Sequence, residues 1–284
     1  MHAQIAFNRP LSSTYRHLGV AAPGFSRALS PGQFVMVRPP LVADPLLPRA
    51  FSIYRISQGE DRAPIVEILY KVLGKGTQYL AQMDPGQVVE ILGPLGNRFT
   101  VPETVETAVL VAGGIGVPPI AALAMEIVKG QRRLEVFLGG KTADDILCAE
   151  DFEKVGATLH ITTEDGSKGT RGLITDLLDP FLKSVGDQAT RQLGNQEGPN
   201  RPIAQSPNRL CIFTCGPPGM LAAVSRVAEG RAVPCQTSVE ANMACGFGAC
   251  MGCAIEVRSS GPGPAYKLVC KDGPVFDSRK LVWR

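Results

Sequence analysis

The sequence predicts a multidomain α+β protein: an antiparallel β-barrel over residues 1–102, a parallel α/β domain over 103–232, and a small C-terminal domain over 233–284. Three observations predict it. Short β-branched runs separated by Pro and Gly fill the first hundred residues, and longer apolar runs then alternate with helix-like stretches. Four of the chain's eight cysteines are crowded between 245 and 270.

The barrel is read from IAFN, FVMVRP, AFSIYRI, PIVEILYKVL and VVEILGP, with Pro31-Gly32, Pro85-Gly86 and Gly93-Pro94 between them. Several short strands with such punctuation suggest an antiparallel barrel. The α/β domain is read from TAVLVAGGIGVPPIAALAMEIVKG, RLEVFLGG, ATLHITTED and RLCIFTCGPPGM, with LITDLLDPFLKSV as a helix. Strands that alternate with helices form parallel sheets. Residues 186–208, polar and rich in Gly, Pro, Gln and Asn, are expected to be a surface loop or disordered insertion. The C-terminal segment reads as a short strand, a GPGP turn and a last strand leading into Cys270. Some 50 residues of this composition need a staple to fold.

At 284 residues, with 44% hydrophobic and 19% charged residues, the chain has the balance of a globular protein with a real core. A net charge of +3 without a basic run or acidic tail gives no warrant for nucleic acid or an anionic membrane. No apolar stretch reaches the ~18 residues of a membrane span, and the N-terminus lacks a leader pattern. A cytoplasmic protein is expected, and in that reducing compartment clustered cysteines point to metal rather than disulfides.

Cys245, Cys250, Cys253 and Cys270 have the C-x4-C-x2-C spacing of a plant-type 2Fe-2S site, with a fourth cysteine 16 residues on. Gly246, Gly248 and Gly252 let the loop curl and bring N–H groups to the sulfurs. A structural zinc is the alternative, although zinc knuckles usually pair C-x2-C on both sides. Cys148, Cys211, Cys215 and Cys235 read as core or site-lining residues.

Arg49 on a barrel strand can bind a pyrophosphate bidentately, and Ser52 can hydrogen-bond a flavin ring atom. With Arg49-Ala50-Phe51-Ser52 go Leu69-Tyr70-Lys71, the turn Gly74-Lys75-Gly76-Thr77 opening a helix whose N–H groups suit phosphate, and Gly93-Pro94-Leu95-Gly96-Asn97. Standing alone, Arg49 would read as a surface ion pair and Ser52 as a turn residue. In the second domain, Gly113, Gly114 and Gly116 lie between a strand and a helix, and Gly216 and Pro217 follow Cys215 in a similar turn. Such turns let a dinucleotide approach the backbone, although each also serves as a plain strand-to-helix turn. Pro119 stands where the last Gly of a G-x-G-x-x-G would be. Glu135, Lys141, Asp144 and Asp145 are candidates for the ribose contact that separates NAD from NADP.

With GQFVMVRP, RAFSIYR, YKVLGKGTQYL, GPLGNRF, VAGGIGVPPI, TCGPPGM, CGFGACMGC and VCKDGPVFD in this order, the chain resembles the ferredoxin reductase-like flavoproteins. Within them it is similar to the electron-transfer subunits of NAD-linked dihydroorotate dehydrogenases. The resemblance implies FAD contacts at Arg49 to Ser52, Leu69 to Lys71 and Gly76-Thr77, and ligation of a 2Fe-2S cluster by the four cysteines. It implies a flavin domain, a nucleotide domain and a cluster domain in that order, with Ser52 tuning the flavin and Cys215 beside the nicotinamide. It further implies an FMN-containing catalytic partner, two copies of each subunit, and electrons passed to NAD+ in de novo pyrimidine biosynthesis. Related flavin and cluster subunits serve NADH-dependent ferredoxin-NADP reductases, sulfide dehydrogenases and hydrogenases; a zinc-stapled scaffold is the non-enzymatic alternative. Ala50 where Pro is common, Arg98 where Gly is usual, and the 186–208 segment depart from the family pattern.

Overall fold

The computed structural model describes all residues except 26–29, 41–45, 60–62, 194–208, 260 and 284, with the side chains of 188–193 also outside the description. The chain divides into two compact units. One holds Met1–Arg98, Glu240–Glu256 and Tyr266–Val275; the other holds Phe99–Val239, Val257–Ala265 and Phe276–Arg284.

In the first unit, β1 (His2–Pro10), β2 (Tyr15–Ala21), β3 (Phe34–Arg38), β4 (Arg49–Ser52), β5 (Arg55–Gln58), β6 (Pro64–Lys71) and β7 (Val88–Leu95) form one sheet in the order β4-β3-β7-β1-β2-β6-β5. Every neighbouring pair is antiparallel. β4 and β5 stand at opposite edges of that order, yet only Ile53 and Tyr54 separate them in the chain. The sheet must therefore curl until its edges meet. At that corner Ile53 N–H donates to Gln33 O (3.1 Å) and Tyr54 N–H to Glu67 O (2.9 Å). AFSIYRI thus contains two strands and the barrel corner rather than one strand. The period of two sends Ile5, Leu18, Val35, Val37, Val66, Ile68 and Tyr70 into one core. α1 (Lys75–Ala81) is the unit's first helix.

Glu67 is a buried carboxylate on β6. Its Oε2 accepts from Arg55 Nε (2.7 Å) and lies 2.7 Å from His17 Nε2. Burial alone would push the carboxyl up, but the hydrogen bonds from His17, Ser57 and Arg55, with the Arg55 charge, bring it down to about 2.

The second unit is built on a sheet of order β11-β10-β9-β8-β12-β13-β16. Its strands are β8 (Thr107–Gly113), β9 (Arg133–Gly140), β10 (Thr158–Thr163), β11 (Thr170–Arg171), β12 (Leu210–Cys215), β13 (Cys235–Ser238) and β16 (Val275–Asp277). β8, β9, β10, β12 and β13 run parallel. The chain winds from β8 outward through β9 and β10, then returns with β12 on the other side of β8. This reversal makes a switch point between β8 and β12. α2 (Val117–Ile127), α3 (Ala149–Lys154), α4 (Ile174–Leu193) and α5 (Pro218–Gly230) belong to this unit. Pro118 and Pro119 stand in the first turn of α2, where a missing N–H costs nothing. Ile174, Leu178 and Leu182 of α4 and Val224 of α5 pack on Val109, Val111, Phe137 and Ile212 of the sheet.

Two differences from the sequence reading stand out. α4 continues to Leu193, so residues 186–193 are helical where a loop is expected, and 194–208 lie outside the described residues. β13 extends the parallel sheet beyond residue 232, into the stretch read as the start of the cysteine-rich domain. That stretch continues in β14 (Ala254–Val257), β15 (Ala265–Leu268) and α6 (Val269–Asp272), with β14 and β15 paired. Among the described residues, no helix is long and apolar enough to cross a membrane.

The Glu67 carboxyl supplies the first prediction. Because its value is depressed in the fold, its stabilisation is complete above pH 4.5 and is lost as pH falls toward about 2, about 3 kcal/mol in all. Urea midpoints should fall across this window, and Glu67→Gln should lack that part of the slope; equal slopes for both proteins would refute the assignment.

Candidate functional site

The cysteine segment belongs to the barrel unit. A Cβ on Gly246 (φ +83°) would lie 2.6 Å from Met36 Cγ and 3.1 Å from Leu95 Cδ1, so the loop rests directly on β3 and β7. A Cβ on Gly248 would lie 3.1 Å from Lys271 Cδ, which sets the same loop against α6. Its thiols fall into two pairs. Cys253 Sγ lies 3.2 Å from Cys270 Sγ, and Cys270 N–H donates to Cys253 Sγ at 3.4 Å. At the other pair, the Cys245 sulfur accepts backbone N–H groups from Phe247, Cys250 and Ala249 and the Cys250 thiol, which hold it down at about 6. Burial, followed by the neighbouring Cys253, pushes Cys270 up to about 12, against an N–H from Gly248.

Cys253 and Cys270 are buried, Cys245 is half-buried and Cys250 is exposed. Among the described residues, no three Cys, His, Asp or Glu side chains converge on a site for a single metal ion. Two thiol pairs lined by backbone N–H groups fit the donor set of a binuclear iron-sulfur centre.

On the same unit, Arg49 and the start of α1 come together. A Cβ on Gly76 would lie 2.8 Å from Arg49 Nε and 2.9 Å from its Cζ, so the absence of a side chain at 76 admits the guanidinium. Arg49 Nη1 donates to Leu47 O at 2.6 Å. The Thr77 hydroxyl caps α1, accepting from Leu73 N–H (2.9 Å) and Gly74 N–H (3.2 Å), which leaves its own N–H as what it can offer.

Alternation along β4 turns Phe51 into the barrel core, with its ring 5.7 Å from that of Tyr70, and leaves Ala50 and Ser52 half-buried on the other face. Tyr70 is 1% exposed and its hydroxyl donates to Asn8 Oδ1 at 3.1 Å; burial raises its pKa to about 12. Leu69 is also buried, while the Lys71 ammonium lies over the Tyr15 ring at 4.9 Å. At Leu69-Tyr70-Lys71, any ligand contact therefore falls mainly to backbone.

In the other unit, the two glycine turns meet at the switch point. Cys215 pairs with Ala112, which brings Gly113 beside Gly216. A Cβ on Gly116 would lie 2.5 Å from the Cys215 carbonyl and from Gly216 N, and one on Gly113 would lie 2.9 Å from Pro217 Cδ. Gly114 has φ +50°. Cys215 closes β12 with its side chain buried.

The ribose candidates separate. Glu135, 1% exposed, pairs with Arg133 (2.6 Å) and His160 (2.8 Å) near the start of β9, away from the C-terminal edge. Asp145 accepts from Lys141 N–H and Thr142 N–H and shapes the turn, while Lys141 and Asp144 are exposed at the edge itself. Glu164 and Asp165, which the sequence reading passed over, follow the end of β10 at the same edge. Ser167 Oγ, accepting from Ala143 N–H at 2.7 Å, ties the two loops together. Only their place at the end of the ATLHITTED run would have pointed to them.

Compared with known proteins, residues 5–99 match an oxidoreductase FAD-binding domain, 110–226 an oxidoreductase NAD-binding domain, and 240–282 the iron-sulfur cluster binding domain of dihydroorotate dehydrogenase B. The dihydroorotate dehydrogenase B (NAD(+)) electron transfer subunit of Desulforamulus reducens is 34% identical over 92% of this chain and 90% of its own. The chain belongs to this family of electron transfer subunits. The Bacillus caldolyticus subunit of the same name is 37% identical over 89% of this chain and 86% of its own. A solved NADH-dependent reduced ferredoxin-NADP oxidoreductase shares the fold, with a TM-score of 0.76 at 23% identity, over 99% of this chain and 90% of that one. Membership brings FAD-binding, NAD-binding and iron-sulfur domains to one oxidoreductase subunit, and the iron-sulfur match displaces the zinc alternative.

The backbone contact at Gly116 supplies a second prediction. In Gly116→Ala the new methyl meets the Cys215 carbonyl, so the turns must part. The variant should keep its flavin and iron while its KM for NADH rises about tenfold; an unchanged KM would refute the role.

Proposed function

We propose that this chain is the electron-transfer subunit of a dihydroorotate dehydrogenase, linking the NAD+/NADH couple to a catalytic partner that oxidises dihydroorotate. The observation that carries the reading is the gathering of four thiols, 25 positions apart from first to last, into two pairs on the unit that also holds the Arg49–Gly76 contact. Cys245, Cys250, Cys253 and Cys270 would hold a 2Fe-2S cluster.

The Arg49 guanidinium and the backbone N–H groups of Gly76 and Thr77 would hold the FAD pyrophosphate. Ala50 and Ser52, on the outer face of β4, would border the flavin with Phe51 bracing them from the core, and Leu69, Tyr70 and Lys71 would contribute backbone. Gly113, Gly114, Gly116, Gly216 and Pro217 would line the nicotinamide crevice, with Cys215 at its floor. When bound, a flavin exchanges hydride with a nicotinamide and single electrons with a cluster, which neither of those groups can do alone.

The protein's share is orientation and exclusion of water, and no side chain acts as acid or base. The partner is read as an FMN-containing subunit, two copies of each making the complex, in the cytoplasm, where thiols stay reduced. The family's naming as NAD(+) subunits and the exposed carboxylates at the β9 and β10 edge support NAD over NADP.

The purified chain should oxidise NADH with an artificial acceptor and show no turnover of dihydroorotate until the partner is added. Dihydroorotate turnover by the chain alone would overturn the assignment. Separately, Cys250→Ala should abolish the visible absorbance of the cluster and slow partner-linked transfer while sparing most of the flavin; iron content equal to that of the native chain would exclude Cys250 as a ligand.

A further inference from the structure

GPLGN reads in the sequence as part of the flavin domain's furniture, but its last residue reaches the cysteine segment. Asn97 Nδ2 donates to Asp272 O (3.1 Å) and Val275 O (2.8 Å), while Oδ1 accepts from Val275 N–H (2.9 Å). Its backbone N–H donates to Gly273 O at 2.7 Å. The amide orientation is forced, because two carbonyls can only accept and the Val275 N–H can only donate. Gly96 makes the approach possible: it has φ +76°, and a Cβ there would lie 2.6 Å from Pro274 Cδ and 3.0 Å from Gly273 O.

These four bonds close on the residues that directly follow Cys270. The short helix carrying Cys270 is braced internally, with Asp272 Oδ2 accepting from Leu268 N–H at 2.8 Å. Its entry is fixed by Val269 N–H on Cys253 O at 3.1 Å. Asn97 fixes its exit. That clamp hydrogen-bonds the stretch after Cys270, the one proposed ligand outside the C-x4-C-x2-C loop, directly to the segment just past β7.

We propose that Asn97 is a positioning residue for the inner thiol pair, setting the placement of Cys270 relative to Cys253 by locking residues 272–275 to the end of β7. The inference rests on the cluster reading above and extends it to a residue that touches no sulfur. Groups one shell out from metal ligands typically change metal retention by 10- to 100-fold, and an altered Cys270 position changes the electronic asymmetry of the centre it serves.

The test uses the flavin- and cluster-loaded chain, prepared anaerobically, as native protein, Asn97→Ala, Asn97→Asp and Asn97→Ser. Two quantities are read: the EPR spectrum of the dithionite-reduced cluster, and the rate of iron release to a ferrous chelator. Asn97→Ala should release iron about tenfold faster with altered g values. Asn97→Asp, which sets a carboxylate against two carbonyls, should do the same, and Asn97→Ser, which keeps a donor and an acceptor, should fall between.

Spectra and release rates that match the native protein in the Ala and Asp variants would overturn the proposal. So would loss of flavin in step with iron, since Asn97 would then be holding the fold and not the ligand. Should Asn97→Ala fail to fold, the Asp and Ser variants decide by the same two readouts. Native protein without iron would instead sink the cluster reading, and this inference with it.

Discussion

The nine residues from Cys245 to Cys253 carry three thiols and almost nothing to bury. Phe247 and Met251, the large apolar side chains among them, are 58% and 62% exposed. Such a segment cannot fold on its own hydrophobic content, so its order is borrowed from the barrel. Close backbone approach is the means: Gly246 on Met36 and Leu95, Gly248 on Lys271, and Gly96 on Pro274. A methyl group at any of these positions would lift the loop from the surface that shapes it. The loop that carries Cys245 and Cys250 thus rests on the paired interior strands β3 and β7.

The same economy governs the nucleotide edge. Gly113, Gly116 and Gly216 are placed where the strands on either side of a switch point end, and the two turns touch through main-chain atoms. Glycine turns at such a switch point leave bare backbone open to a dinucleotide. The chemistry is left to the bound groups. Accordingly, the side chains nearest this edge are a buried thiol at Cys215 and small or apolar residues, while the charged groups lie farther out, at Lys141, Asp144, Glu164 and Asp165.

Features carried by local pattern were legible in the sequence. β9 coincides with RLEVFLGG because an interior parallel strand is apolar on both faces, and the cysteine spacing encodes its own geometry. β2 was missed because Arg16, His17 and Gly19 interrupt its alternation, although its partners on β1 and β6 supply the pairing. β13 was missed because Cys235-Gln236-Thr237-Ser238 has little hydrophobic signature; it is a strand only because β12 lies beside it. The corner at Ile53-Tyr54 is invisible to any local rule, since it is set by the closure of the sheet. Tyr70 and Thr77 show the same limit on the site. Both stand in segments that the sequence singles out, yet whether a hydroxyl faces a ligand, a core asparagine or a helix cap depends on partners distant in sequence or on local capping.

The asymmetry of the thiols bears on how the segment comes to hold its metal. Backbone N–H groups that the loop itself supplies, from Phe247, Cys250 and Ala249, hold Cys245 down toward thiolate. Cys270 is the reverse: burial and the neighbouring sulfur push it up, against the N–H of Gly248. As a metal ligand, such a thiol would have to be ionised, and coordination would have to offset that cost. A ligand under that constraint cannot also be free to swing away. In this chain the backbone that follows it is held by the bonds of Asn97, just past the end of β7, and then by the sheet pairing of β16, which begins at Val275.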